Sequence, residues 1–131
     1  MPSTLTVYDE KPSGEREAAG TLDFLTERIT VRELIRERVY QEVREFNART
    51  SDVFQGLVQP EDTERLLNGY RMKTQRKIDW EKQYEKALKA FDNNGFFLLV
   101  DDKQVESLDA EITLTPTTGV SFVRLMPLVG G

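Results

Sequence analysis

Residues Phe96-Phe97-Leu98-Leu99-Val100 form a continuous apolar run directly behind Asn93-Asn94-Gly95, and Asp101-Asp102-Lys103 turns the chain after it. A strand without a polar position has no face to offer water, so the pattern predicts a central strand buried on both faces. With 131 residues, 38% of them hydrophobic, the chain has material for one modest core and one domain, residues 1–131.

Leu5-Thr6-Val7-Tyr8 alternates apolar and polar positions as a half-buried strand does, with Leu5 and Val7 on one face. Lys11-Pro12-Ser13-Gly14 supplies a turn, and Leu22 and Phe24 point together in a second alternating segment that runs from Gly20 to Thr26. The two read as an antiparallel hairpin with a long, mobile polar loop over residues 10–19. Thr30-Val31-Arg32-Glu33 is a capping box, in which hydroxyl and carboxylate satisfy the first free amides of a helix, and Ile29 and Leu34 have staple spacing. Val31, Ile35, Val39, Val43 and Phe46 recur at three- and four-residue steps, giving this helix one stripe for a sheet; Arg32, Arg36, Glu37, Gln41 and Arg44 take the solvent side.

Residues 50–94 read as a helical insertion. Gln59-Pro60-Glu61-Asp62 fits a helix start, followed by Leu66, Leu67 and Tyr70. Asp79 fits the cap of another helix, whose stripe Trp80, Tyr84, Leu88 and Phe91 suits core packing better than a partner groove. Beyond the central strand, Val105, Leu108 and Ile112 are anchors in an irregular stretch, and Thr115-Pro116-Thr117-Thr118-Gly119 is a turn. The last strand starts at Val120, with Val120 and Phe122 on one face. Val123 and Leu125 on the other are a candidate apolar partner surface.

The chain has no Cys and no His, which removes thiol nucleophiles, imidazole bases and nearly every zinc ligand set. The expectation is a protein that is not an enzyme and binds no metal. Asp101, Asp102, Asp109 and Glu111 could offer oxygen ligands, but turn formation and solubility account for them better. A net charge of −5 argues against a general nucleic-acid binder or a membrane-surface protein. Arg71, Lys73, Arg76 and Lys77, between Tyr70 and Trp80, are the densest basic cluster, and they read as a solvated face rather than a nucleic-acid patch. The sequence has no apolar run of transmembrane length and no amino-terminal signal pattern, so a cytoplasmic location is expected.

The order strand, strand, helix, strand, short strand, strand, closing in Gly130-Gly131, resembles the ubiquitin-like β-grasp fold. Phe97 to Val105, then Leu108 and Ile112, then Val120-Ser121-Phe122 before Pro127-Leu128-Val129-Gly130-Gly131, is similar to the molybdopterin-synthase small subunit and thiamine sulfur-carrier families. About 85 residues carry the likeness, and residues 50–94 depart from it. The fold it implies is α+β, a ubiquitin-like β-grasp with a helical insertion between the main helix and the third strand.

The resemblance implies a carrier or modifier whose Gly131 carboxylate is adenylated by an E1-like activating enzyme using ATP. The product would be a thiocarboxylate, made with a sulfur donor, or an isopeptide bond to a lysine of a target protein, made by a conjugation enzyme. Gly130 would give a slim approach to the activated Gly131, and Pro127, Leu128 and Val129 a stem for the partner to grip. No cofactor is expected on the chain itself. A non-conjugated β-grasp adaptor, binding through its sheet or its insertion, is the alternative.

Overall fold

A computed structural model describes residues 3–49, 51–67 and 69–125. Among these the chain is mixed α and β, with two helices and a mixed main sheet. The elements that build the main sheet are β1 (Ser3–Glu10), β2 (Arg16–Phe24), β7 (Phe96–Val100), β8 (Lys103–Val105) and β10 (Val120–Arg124), in the order β2-β1-β10-β7-β8. At its centre β1 and β10 run parallel, Val7 opposite Val120 and Asp9 opposite Phe122, and every other pairing in this sheet is antiparallel.

Helix α1 (Val31–Ala48) starts where the capping box puts it, with the Thr30 hydroxyl accepting the Glu33 amide at 3.1 Å. Two more of its free amides are met from a distance: Val31 and Arg32 donate to the carbonyls of Ala110 and Leu108, each at 3.0 Å. The helix start is thereby tied to the chain around β9 (Glu111–Thr113), and β9 pairs with β3 (Arg28–Thr30), placing Ile29 opposite Ile112. Leu34, Ile35 and Val39 of α1 are buried with Leu98, Val120 and Phe122 of the sheet. Full burial of side chains of this size contributes about 1.5–3 kcal/mol each.

The apolar run is the strand β7, but it is not buried on both faces. Phe96 and Leu98 lie in the core, whereas Phe97 and Leu99 are only half-buried. The core lies on the α1 side, and the other side of β7 joins the cross-strand rows Glu10, Val123, Phe97 and Tyr8, Ser121, Leu99. Residues 10–19 also differ from the expected loop. The strands continue to Glu10 and from Arg16, so the turn shrinks to residues 11–15, held by Arg16 on Glu10 at 2.9 Å and Lys11 on Glu15 at 3.4 Å. Cross-strand pairing of exposed charges replaced the apolar alternation on which the expectation relied.

The segment expected to be a helical insertion, residues 50–94 and called the insert below, is only partly helical among the described residues. Its second half is α2 (Trp80–Asp92), capped by the Asp79 carboxylate, which accepts the Glu81 amide at 3.0 Å. The helix ends in a Schellman arrangement, with Gly95 donating to Ala90 and Asn94 to Phe91. The left-handed residue there is Asn94, at φ 59°, and not the glycine. The first half is a small three-stranded sheet of β4 (Val53–Phe54), β5 (Thr63–Leu66) and β6 (Gly69–Met72), in the order β4-β6-β5. The helix expected from Gln59-Pro60 is therefore absent: Thr63 donates its hydroxyl to the Pro60 carbonyl and starts a strand. The spacing of Leu66, Leu67 and Tyr70 is overridden by strand pairing, with Leu66 opposite Gly69 and Arg65 opposite Tyr70.

The insert is fixed to the main body by side chains that stand in for backbone. Asn47 of α1 both donates to the Ile78 carbonyl at 3.0 Å and accepts the Ile78 amide at 2.9 Å. Phe54 is buried edge-on to Phe46, with ring centroids 5.4 Å apart. Its ring leaves no room at Gly56, where an added Cβ would collide with it and stand 3.0 Å from the Glu42 carboxylate. Gly56→Ala is accordingly expected to destabilise the protein by about 1–3 kcal/mol, measurable as a lower urea midpoint with an unchanged slope.

Candidate functional site

Position 38 lies on the α1 stripe that faces the sheet, yet it is an arginine, and it is 4% exposed. Its guanidinium spreads over the Phe122 ring, 4.4 Å from the centroid. It donates to both carboxylate oxygens of Asp9, at 2.6 and 3.0 Å, and to Glu42 at 2.7 Å. Burial opposes the charge on Arg38, but Glu42 and Asp9 more than compensate, and the pKa stands above the ordinary arginine value. The second oxygen of Glu42 accepts the Leu57 amide at 3.1 Å. One guanidinium thus joins β1, α1, β10 and the start of the insert.

This network forms the floor of an open cleft of about 1460 Å³ between the β1–β2 hairpin and the insert. Phe46 and Arg49 extend the floor along α1, and Arg124 and Leu125 close one end where β10 stops. The small sheet turns the cross-strand row Phe54, Tyr70 and Arg65 toward the cleft, because pairing places Phe54 opposite Tyr70 and Tyr70 opposite Arg65. The alternate row, Val53, Arg71 and Glu64, lies on the other face. From α2, Lys86 donates to the Gln59 carbonyl at 2.9 Å and the buried Gln83 to that of Val58 at 3.1 Å. Both hold the connection that leads into β5.

Of the residues singled out in the sequence, Pro127, Leu128, Val129, Gly130 and Gly131 lie outside the described residues. Val123 is half-buried in the row with Glu10 and Phe97, while Leu125 is 40% exposed and borders the cleft. The strand ends at Arg124, so Leu125 lies just beyond it. Asp101 accepts the Gly119 amide at 2.9 Å, Asp102 pairs with Arg16, Asp109 with Arg32, and Glu111 with Arg28. Among the described residues no group of three or more carboxylates is arranged to hold a metal ion. The aromatic residues that bracket the basic cluster face elsewhere: Tyr70 lines the cleft, and Trp80 packs edge-on against Tyr40 with Arg36 over its ring. No helix among the described residues is long and apolar enough to cross a membrane.

Arg38, Gln83 and Asn47 escaped the reading of the sequence. Only Arg38 left a trace there, as a charge one position before Val39 on a stripe that should be apolar. No protein family, curated protein or solved structure matches the chain.

The carboxylates of Asp9 and Glu42 face one buried cation, so removing it leaves them without a counter-charge. Arg38→Met is expected to cost about 3–5 kcal/mol of stability, read from urea unfolding. The loss should be little affected by 0.5 M salt, because a buried pair is weakly screened.

Proposed function

We propose that the chain is a ubiquitin-like β-grasp protein that acts as a carried group, a sulfur carrier or protein modifier activated at its terminal Gly130-Gly131. The observation that supports this reading is the sheet order β2-β1-β10-β7-β8 around a parallel β1–β10 pair, with α1 following the first hairpin and packing on one face. That is the arrangement a β-grasp requires of two end strands joined through a helix. The whole segment from β4 to α2 falls between α1 and β7, the connection where a β-grasp can lengthen without disturbing the pairing of its sheet.

In this reading β10, the middle strand of the sheet, leads into the tail, with Leu125 at the rim of the cleft. An E1-like partner would take Pro127, Leu128 and Val129 as the stem and receive Gly130-Gly131 in a narrow channel, since two residues without side chains need only backbone clearance. An oxygen of the Gly131 carboxylate would attack the α-phosphorus of ATP and expel pyrophosphate. A sulfide equivalent would then displace AMP to give the thiocarboxylate. Alternatively an enzyme thiol would form a thioester, which a target lysine amine converts to an isopeptide with return of the thiol. The chain supplies the acyl group in each route, in keeping with its lack of Cys and His.

Incubation with ATP and the activating enzyme of the same cell should give an adenylate, a thiocarboxylate or a covalent adduct in the intact mass. Deletion of Gly131 should abolish it. An unchanged mass with every activating enzyme of that cell would reject the reading, and binding of partners that survives the deletion would favour a non-conjugated adaptor.

A further inference from the structure

Cations of the insert and of the end of β10 stand together without a paired carboxylate among the described residues. Lys86 donates to the Gln59 carbonyl, and Arg65 to the Gln59 side-chain oxygen at 3.3 Å. Arg65 stands opposite Tyr70 in the β5–β6 pairing, and Arg124 reaches the Tyr70 hydroxyl from β10 at 3.5 Å. Two guanidiniums and an ammonium therefore share one wall of the cleft, and among the described residues none of the three lies within 4 Å of a carboxylate. Like charges gathered in this way repel one another, and an anion seated between them would relieve that repulsion.

The opposite wall and floor bear carboxylates, but most are committed elsewhere. Asp9 and Glu42 are held by Arg38, Glu10 by Arg16, and Glu15 by Lys11. Glu17 and Glu45 remain across the cleft from the cations. The positive charge at the insert wall is thus local and directed inward. Leu66, half-buried, and Leu125, 40% exposed, border the same wall and supply an apolar surface beside it.

We propose that this cleft binds a small organic phosphate, its phosphate group seated between Arg65 and Arg124 at the Tyr70 hydroxyl with Lys86 beside it, and its apolar body lying against Leu66 and Leu125. A phosphate group suits the cluster better than a single carboxylate, because a dianion balances more of the charge and its oxygens match the guanidinium forks. The Tyr70 hydroxyl adds a neutral donor whose position is fixed by the small sheet. The cleft is ample for such a molecule, since sites for small ligands enclose about 300–1,000 Å³. The inference is independent of tail activation, because none of its residues belongs to the tail.

Titration of the isotope-labelled full chain with phenyl phosphate and with inorganic phosphate, followed by NMR, tests it. Saturable shifts of the Arg65 and Arg124 side-chain resonances and of the Tyr70 ring are expected, with phenyl phosphate the tighter ligand. The double variant Arg65→Gln and Arg124→Gln should weaken phenyl phosphate by about tenfold or more, while Lys103→Gln, on the distant β8, should not. Tyr70→Phe, which keeps the ring packing, should weaken it to a smaller extent and guards against a folding defect in the double variant. Shifts that rise linearly without saturation, or affinity unchanged in both the double variant and Tyr70→Phe, would overturn the site. Equal affinity for the two ligands would overturn the organic body.

Discussion

The buried guanidinium of Arg38 is the point at which the parts of this protein meet. It lies on the Phe122 ring in the core, takes both oxygens of Asp9 on the neighbouring strand, and holds Glu42 one helical turn away. Glu42 in turn receives the Leu57 amide, so the insert is joined to the core through a charge rather than through apolar contact alone. A lone cation at 4% exposure would be strongly unfavourable; two carboxylates and an aromatic face make it tolerable. Neutralising the cation also uses up two of the acids of the cleft, which leaves the insert wall electrostatically distinct from the floor.

Backbone groups at the element ends are met in the same manner, by partners far away in sequence. The first amides of α1 rest on the carbonyls of Leu108 and Ala110, and the backbone of Ile78 is paired with the amide of Asn47. Gln83 and Lys86 of α2 satisfy the carbonyls of Val58 and Gln59. The segment between α1 and β7 is thus tied to the rest of the chain by hydrogen bonds, and no buried side-chain polar atom among the described residues lacks a partner. The β5–β6 hairpin is consequently held at a defined place, beside the end of β10, where Tyr70 meets Arg124.

Where the signals are local, the sequence was readable. The capping box at Thr30, the stripe of Val31, Ile35, Val39, Val43 and Phe46, the Asp79 cap and the Asp101-Asp102 turn are all present. Between Gln59 and Met72 the local signals point to a helix, since Pro60, two acids and the spacing of Leu66, Leu67 and Tyr70 all suit one, whereas the chain forms β5 and β6 there. The candidate cleft was not readable. It takes Tyr70 and Arg65 from one hairpin, Lys86 from α2 and Arg124 from β10, residues that are up to 59 positions apart and meet only because that hairpin lies beside the end of β10.

By itself the sequence determined the element types outside residues 50–77, the helix ends and most of the core, because these depend on periodicity and on side chains that act within a few residues. It also determined the chemistry open to the chain, since residues that are absent cannot be supplied by folding. Tertiary structure decided which face of β7 is covered, that the first half of the insert is a sheet, and that Arg38 is buried. The physical reason is the same for all three: each outcome depends on pairing or packing between segments distant in the chain. A side chain's charge, width or hydrogen-bonding capacity is fixed locally, but whether it meets a carboxylate, a ring or water is fixed only by what the fold brings against it.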